Sequence, residues 1–258
     1  MDLHNSWLPR MDELVEEAAI AININGISHA VMMATPDDLD DFAIGFLYGE
    51  GIIKGNHDVH DMQLIPSEQG MVLDVTIANR CLVELNRRKR RLTGVSGCGI
   101  CGVEAIEHAL PALTPLSPSM PPAADRLLDL RERIIPWQNK ARQSGALHAA
   151  LALGAEGEIL ACREDIGRHN ALDKLIGMQL RQPARSDTLV ITSRCGSELI
   201  HKAVQYGAAH LISLASPSQL AVRLALKYHL NLIHVPRSDA PVYYTAWDQI
   251  GERNVQPY

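Results

Sequence analysis

Two cysteines three positions apart are the residues of this sequence whose types and spacing most directly indicate chemistry. Cys98 and Cys101 lie in the stretch 94–102, which reads GVSGCGICG. A pair of this kind can bind zinc, form a dithiol redox couple, or supply a sulfur nucleophile on a flexible arm. The residues around the pair favour one of these three interpretations over the other two.

Zinc and a thioredoxin-like dithiol both need a context that this sequence does not offer. A structural zinc site usually has two paired knuckles, and there is no second C-x-x-C among the five cysteines. A redox dithiol needs its first cysteine at a helix N-terminus directly after a buried strand. The residues before Cys98 are instead a basic run at 87–91 and then glycine-rich sequence. We therefore expect no metal.

A sulfur nucleophile fits the surroundings of the pair better. The helix-like stretch 103–110 would direct its positive end at Cys101, and the basic run at 87–91 would also favour the thiolate. A thiolate of depressed pKa can attack a persulfide on another protein and carry away the terminal sulfur. The three isolated cysteines are predicted to be small buried hydrophobic residues: Cys81, Cys162 and Cys195.

Composition limits the classes of partner and the compartment. The chain has 258 residues, 47% of them hydrophobic, and a net charge of −6, which does not fit a nucleic-acid-binding protein. No apolar run approaches the roughly 18–20 residues that cross a bilayer. Five cysteines are an odd number, and the N-terminus lacks a signal-peptide pattern. We expect a cytoplasmic protein that binds neither membrane nor nucleic acid.

The chain is predicted to fold into two lobes of an α/β protein. A proline cluster at 111–122 marks a linker between residues 1–117, a smaller α+β lobe that carries the C-x-x-C, and residues 118–258. In the first lobe, Asn25-Gly26 indicates a hairpin between strands. Thr35 is predicted to cap a following helix, and residues 71–78 are predicted to form a strand.

The second lobe alternates between strands and helices. The predicted order is a helix at 123–133, strands at 146–153 and 159–163, a helix at 169–180, a strand at 189–192, a helix at 197–208, a strand at 211–215, a helix at 218–229 and a strand at 232–235. This order favours a parallel-rich mixed sheet covered by helices. Ligands of such sheets bind beyond the carboxyl ends of the strands, which here means the loops 163–170, 193–197 and 216–218.

These motifs together resemble the FdhD family of formate dehydrogenase accessory sulfurtransferases. The most specific elements are CGICG at 98–102 and REDIGRHNALDK at 163–174. Supporting elements are Thr35-Pro36-Asp37-Asp38, Gly45-Phe46-Leu47, Glu50-Gly51-Ile52-Ile53 and His148-Ala149-Ala150. The resemblance covers nearly the whole chain.

The resemblance implies a sulfur carrier. Such a protein accepts persulfide sulfur from a cysteine desulfurase and passes it to the molybdenum cofactor, molybdopterin guanine dinucleotide, before insertion into the catalytic subunit of formate dehydrogenase. The family's persulfide cysteine corresponds to Cys98, with Cys101 as its motif partner. A homodimer and a cytidine-deaminase-like C-terminal lobe are also implied.

Residues that hold this cofactor are expected in the second lobe. Phosphates are bound by Arg side chains and free helix N–H groups. The predicted set in the motif and loops is Arg163, Asp165, Arg168, His169, Asn170, Lys174 and Arg194. The resemblance implies a further stretch at the guanine dinucleotide, which is Pro241, Val242, Tyr243, Tyr244, Thr245 and Ala246. Among these residues, His169 and Asn170 either contact a base edge or cap a helix, and the two tyrosines either stack on a ring or simply pack.

Two other functions stay open at this point. In a non-catalytic cofactor chaperone, the cysteines would only help to hold the dinucleotide. A zinc-dependent deaminase would need H-x-E and P-C-x-x-C at the starts of two central helices. The equivalent positions here read GRHN at 167–170 and TSRCG at 192–196, and neither supplies the ligand set.

Overall fold

The computed structural model describes residues 14–68, 70–83, 85 and 112–247, which form two β-sheets and the helices that pack on them. Cys98, Cys101, the basic run at 87–91 and the predicted helix at 103–110 lie outside the described residues. The site predicted in the second lobe lies entirely within them.

The first sheet has four strands in the order β2-β1-β4-β3. The strands are β1 (Ala18–Ile24), β2 (Ile27–Ala34), β3 (Val59–Ser67) and β4 (Gly70–Ile77). Strands β1 and β4 are parallel, and the other neighbours are antiparallel. Asn25 and Gly26 both have positive φ, at 50° and 74°, so the predicted hairpin turn between β1 and β2 is confirmed. Strand β3 was not predicted.

Helix α1 (Leu39–Gly49) covers the inner face of this sheet. Its apolar residues Phe42, Ile44 and Leu47 are fully buried. The prediction that Thr35 caps this helix is wrong, because the helix starts after Asp38, which has a φ of 51° and makes no capping hydrogen bond. The buried Thr35 side chain instead accepts a hydrogen bond from the backbone of Ile166, 3.1 Å away in the second lobe.

The second sheet has six strands in the order β10-β9-β8-β7-β5-β6. The strands are β5 (His148–Leu153), β6 (Ile159–Asp165), β7 (Thr188–Ile191), β8 (His210–Ser213), β9 (Asn231–His234) and β10 (Val242–Tyr243). The helices are α2 (Leu130–Ile134), α3 (Ala141–Ser144), α4 (Arg168–Leu180), α5 (Ser197–Tyr206) and α6 (Gln219–Lys227). The alternation of strands and helices after residue 159 agrees with the predicted α/β class.

Two details of the second lobe differ from expectation. The predicted helix at 123–133 is instead a 3-10 turn, Ala124–Leu127, followed by the short α2. The sheet is also less parallel than predicted, because only β7, β8 and β9 run in parallel as neighbours. Strands β5, β6 and β10 pair antiparallel, since a hairpin and a returning C-terminal segment form its edges.

Glycines allow α1 of the first lobe to cross α4 of the second at very close range. A methyl group at Gly45 would overlap the carbonyl of Asp173, and one at Gly177 would overlap the carbonyl of Asp41. The crossing merges the apolar residues of both lobes into one large core cluster. The lobe boundary near residue 117 stays a prediction.

No helix among the described residues is long and apolar enough to cross a membrane.

Candidate functional site

The carboxyl ends of four strands meet at one edge of the second sheet. Strand β6 is antiparallel to β5, and β5 is antiparallel to β7, so β6 runs in the same direction as β7, β8 and β9. The segments that follow β6 and β7 lead into α4 and α5. The end of β6, the first two turns of α4 and the segment after β7 carry most of the polar residues predicted to bind the cofactor.

Arg168 and Arg194 are the predicted residues whose side chains are available to a ligand at this edge. Both are exposed, and neither side chain forms an ion pair or hydrogen bond with another described residue. The helices beside them start after Gly167 and Gly196, which provide no side-chain cap, whereas Ser218 caps α6. Uncapped N–H groups next to guanidinium groups form a favourable environment for phosphate.

His169 joins the starts of α4 and α5. Its Nε2 lies 2.6 Å from a carboxylate oxygen of Glu198. Burial lowers the pKa of His169, and Arg168 and Lys202 lower it further, while Glu198 opposes them. Burial and Arg168 likewise lower the pKa of His148, at the start of β5. Both imidazoles are therefore held toward the neutral form, in which one ring nitrogen accepts a hydrogen bond.

Asp165 is fully buried and uses both carboxylate oxygens. One oxygen accepts hydrogen bonds from the Gly167 backbone at 2.7 Å and the Asn170 amide at 3.0 Å. The other accepts from the Thr35 backbone at 3.1 Å and lies 2.7 Å from the ammonium group of Lys174. Because these partners come from both lobes, the carboxylate fixes the loop after β6 against the end of β2.

Asn170 and Lys174 extend the same contacts. The Asn170 amide also donates to the Met33 carbonyl at 2.8 Å, and the Lys174 ammonium donates to the Thr35 carbonyl at 2.9 Å. Lys174 has no exposed surface at all. The geometry gives Asp165, Asn170 and Lys174 a positioning role, and their predicted direct contact with the cofactor stays a prediction.

Arg163 is also engaged by the first lobe. Its Nε and Nη2 lie 2.9 and 2.7 Å from one carboxylate oxygen of Asp41 on α1, and Arg181 binds the other oxygen at 2.9 Å. This arrangement satisfies the almost completely buried Asp41. The Arg163 side chain is itself mostly buried, so it is less available to a ligand than the side chain of Arg168.

A second buried ion pair lies one helical turn beyond His169. Asp173 is almost completely buried and accepts hydrogen bonds from the Lys202 ammonium at 2.7 and 2.9 Å. Burial raises the pKa of Asp173 to about 6, although Lys202 opposes the shift. The pair joins α4 to α5 behind the exposed end of the site.

The C-terminal stretch 241–246 forms the opposite border of the sheet. The Thr245 hydroxyl is buried and bonded to the backbone of Leu230 and Leu232, and the Tyr243 hydroxyl donates to the Pro122 carbonyl at 2.7 Å. Strand β10 lies five strand spacings from β6, or about 24 Å. The structure therefore does not bring these residues next to Arg168.

The prediction that the isolated cysteines are buried is confirmed for two of the three. Cys81 and Cys195 are buried, and Cys162 is half-buried. Burial raises the pKa of Cys162 and Cys195 to about 12, so neither thiol ionises readily. Among the described residues, no three His, Cys, Asp or Glu side chains are grouped to hold a metal ion.

Several residues of this site were not singled out from the sequence. Glu198 has a usable signal, since an acid in the first turn of a helix complements its dipole. His148 was noted only as part of the family resemblance. Asp41 had no local signal, and Thr35 was predicted only as a helix cap, because the partners of both side chains are more than 120 residues away in the chain.

Comparisons with known proteins cover almost the whole chain. The model of the FdhD/NarQ family matches residues 15–251. "Sulfur carrier protein FdhD" from Bordetella parapertussis is 39% identical over 90% of this chain and 85% of its own length. The protein of the same name from Cupriavidus necator is 38% identical over 90% of this chain and 82% of its own.

A solved structure shows a similar fold. It is the crystal structure of a protein from Desulfotalea psychrophila described as a formate dehydrogenase accessory protein. It has a TM-score of 0.68 and 24% identity, covering 90% of this chain and 88% of that one. The family match and the curated relatives establish that this chain belongs to the FdhD/NarQ family.

Proposed function

We propose that the chain is a sulfur carrier for formate dehydrogenase. In this proposal Cys98, with Cys101 beside it, accepts persulfide sulfur from a cysteine desulfurase. The sulfur then passes to the molybdenum cofactor before the cofactor enters the catalytic subunit of formate dehydrogenase. The observation that carries the proposal is the identity of 39% over 90% of the chain to a protein named a sulfur carrier.

The edge of the second sheet is the proposed binding site for the dinucleotide. The cofactor is cargo here, and its pyrophosphate needs cations and free N–H groups. Arg168, Arg194 and the uncapped starts of α4 and α5 offer both. His169, whose Nε2 lies against Glu198, is placed beside Arg168 for contact with a base or a pterin edge. We also propose that α4, α5 and the second sheet have the fold of cytidine deaminase.

The contacts around Asp165 give this site its rigidity. Asp165, Asn170 and Lys174 bind the end of β2 and hold the loop that presents Arg168. A ligand that binds to Arg168 then meets a guanidinium group on a fixed backbone, so little backbone entropy is lost on binding. The sulfur would arrive from the first lobe, which carries the two cysteines.

Mass spectrometry of the intact protein tests the proposal. The chain is incubated with a cysteine desulfurase and cysteine, without reductant. We expect a gain of one sulfur atom that Cys98→Ala abolishes and Cys162→Ala retains. Cys162 is the matched control, because burial raises its pKa to about 12. Absence of an adduct on the wild type, with nucleotide binding intact, would instead support the cofactor chaperone.

A further inference from the structure

A cavity lies at the edge of the second sheet opposite to Arg168. It has a volume of about 480 Å³, within the range of roughly 300–1,000 Å³ that is typical of small-ligand sites. Residues of the segment 120–127 and of the turn 154–157 line it, together with three strand residues: Leu153, Thr188 and His210. The four-residue strands β7 and β8 separate the cavity from the edge that carries Arg168, a distance of about 13 Å.

The strand residues at this cavity belong to a polar row on an otherwise apolar face of the sheet. Strand pairing places four residues side by side across β5, β7, β8 and β9: Leu153, Thr188, His210 and Asn231. Two residues along each strand, the next row on the same face is entirely apolar: Leu151, Val190, Ile212 and Ile233. Buried polar side chains destabilise a fold unless each of them is hydrogen-bonded. The partners of this row therefore show which polar groups are left for a ligand.

The hydrogen bonds of Asn231 fix the tautomer of His210. The side-chain oxygen of Asn231 accepts from the Trp247 backbone at 2.7 Å, so its amide nitrogen faces the other partners. That nitrogen donates to the Ser119 carbonyl at 2.8 Å and to Nδ1 of His210 at 3.1 Å. Because Nδ1 accepts, the proton of the neutral imidazole is on Nε2. Burial lowers the pKa of His210 and so favours the neutral form, although Asp187 opposes the shift.

The Nε2–H group of His210 is a donor that the protein leaves unused. His210 is only 7% exposed, and Nε2 has no hydrogen-bond partner among the residues that the structure describes. Nδ1 points to Asn231 on β9, and the cavity lies on the other side, next to Thr188 on β7. The Nε2–H group is therefore directed into the cavity. A buried donor without a partner is costly, and a ligand that accepts from it removes that cost.

An acceptor lies beside this donor. The Asp187 carbonyl accepts from the His210 backbone at 3.0 Å, so the two residues are in contact. One carboxylate oxygen of Asp187 accepts from the Thr188 hydroxyl at 2.9 Å, and the other has no partner within the described part of the chain. Arg126 also lines the cavity, but it is bound to Glu156 at 3.1 Å and to a backbone carbonyl. The lining thus offers a donor next to an acceptor and disfavours a phosphate group.

We propose that this cavity binds the adenine base of a nucleoside, whose 6-amino group donates to Asp187 and whose ring nitrogen accepts from Nε2–H of His210. Adenine presents such a donor next to an acceptor. Guanine presents two neighbouring N–H donors that need both oxygens of one carboxylate, and Thr188 already occupies one oxygen of Asp187. The apolar side chains of Pro122 and Leu127 provide surfaces for the faces of a flat ring. The proposal does not depend on the sulfur chemistry.

Isothermal titration calorimetry of the full chain with adenosine and purine riboside tests this site. Purine riboside lacks the 6-amino group, so it should bind the wild type about tenfold more weakly or worse, because a hydrogen bond to a charged group is lost. Asp187→Ala should weaken adenosine binding by the same factor and leave purine riboside unchanged, so that the two affinities become equal. Asp40→Ala, which removes an exposed acid from the first lobe, is the matched control and should bind both ligands like the wild type. Circular dichroism confirms that each variant is folded.

Two further titrations distinguish this site from the proposed cofactor site. Guanosine should bind more weakly than adenosine, and saturating guanosine diphosphate should not displace adenosine, because the two sites lie at opposite edges of the sheet. Displacement would place adenosine beside Arg168 and overturn the proposal. Absence of adenosine binding at millimolar concentration, or tighter binding of guanosine, would also overturn it. Equal weakening of adenosine and purine riboside by Asp187→Ala would show that Asp187 does not contact the amino group.

Discussion

The segment 163–174 contains two sets of polar residues with opposite environments. Asp165, Asn170 and Lys174 are almost completely buried, and every one of them contacts the end of β2. Arg168 is exposed, and His169 is about a quarter exposed at the same edge. One short motif therefore holds the two lobes together with one set of side chains and leaves the other set exposed at the edge of the second sheet.

The difference matters because residue type alone does not separate the two roles. A lysine two turns into a helix is normally solvated, yet Lys174 has no exposed surface. A buried ion pair of this kind stabilises only when every remaining hydrogen bond is made. Asp165 meets that condition with four partners. Substitutions in the two sets should thus affect different properties of the protein.

The largest effect is expected at the buried set. Lys174→Ala leaves the carboxylate of Asp165 buried without its cation, which should cost about 3–5 kcal/mol of unfolding free energy. Urea denaturation measures the loss, and Arg168→Ala, expected to stay within about 0.5 kcal/mol, is the exposed control. If Lys174→Ala does not fold, the neutral pair Asp165→Asn with Lys174→Met should fold. Equal stability of all these variants would contradict the distinction between the sets.

Asp173 should make stability depend on pH. Its folded pKa of about 6 exceeds the ordinary value of 3.8, so the folded state binds the proton more tightly than the unfolded state. The stability that this group contributes is present below pH 3.8 and is lost as the pH rises through about 6. The roughly two pKa units correspond to about 3 kcal/mol.

Asp173→Asn removes this titration. Between about pH 4 and pH 7, unfolding free energies of the wild type should fall relative to those of the variant. Asp61→Asn, at an exposed strand position, should retain the wild-type pH dependence. Parallel pH profiles of the wild type and Asp173→Asn would show that the carboxylate does not titrate in this range.

The exposed set should control ligand affinity. Arg168→Ala and Arg194→Ala should each weaken binding of guanosine diphosphate, a surrogate for the dinucleotide, by about tenfold or more, because a hydrogen bond to a charged group contributes about 1.5–3 kcal/mol. Isothermal titration calorimetry measures the affinity. Arg223→Ala, at an exposed position on α6, is the matched control. Unchanged affinity in both variants would assign these arginines to another role.

The smallest effect concerns the pair of His169 and Glu198. Glu198→Gln removes the carboxylate that raises the pKa of His169, so that pKa should fall further. Arg168→Ala should shift it upward, because Arg168 lowers it. Titration of the imidazole by NMR measures both shifts, and the unfolding free energy should change by less than about 1 kcal/mol. Shifts of the same sign in both variants would contradict this electrostatic description.

The sequence predicted what local patterns determine. Asn25-Gly26 indicated the hairpin, and the alternation of strands and helices after residue 159 indicated the second sheet. Local patterns misplaced the start of α1, because Thr35 is bound by residues more than 120 positions away. Local patterns also did not distinguish Arg163 from Arg168. Arg163 is bound by Asp41, which lies on a helix far away in the sequence, whereas Arg168 is exposed.

We propose above that this chain serves formate dehydrogenase through sulfur carried on Cys98. Formate dehydrogenase activity, in a bacterial strain whose only FdhD-family protein is this chain, tests the claim most directly. We expect full activity with the wild type and with Cys162→Ser, and none with Cys98→Ser at equal protein level. Wild-type activity in the strain that depends on Cys98→Ser would contradict it.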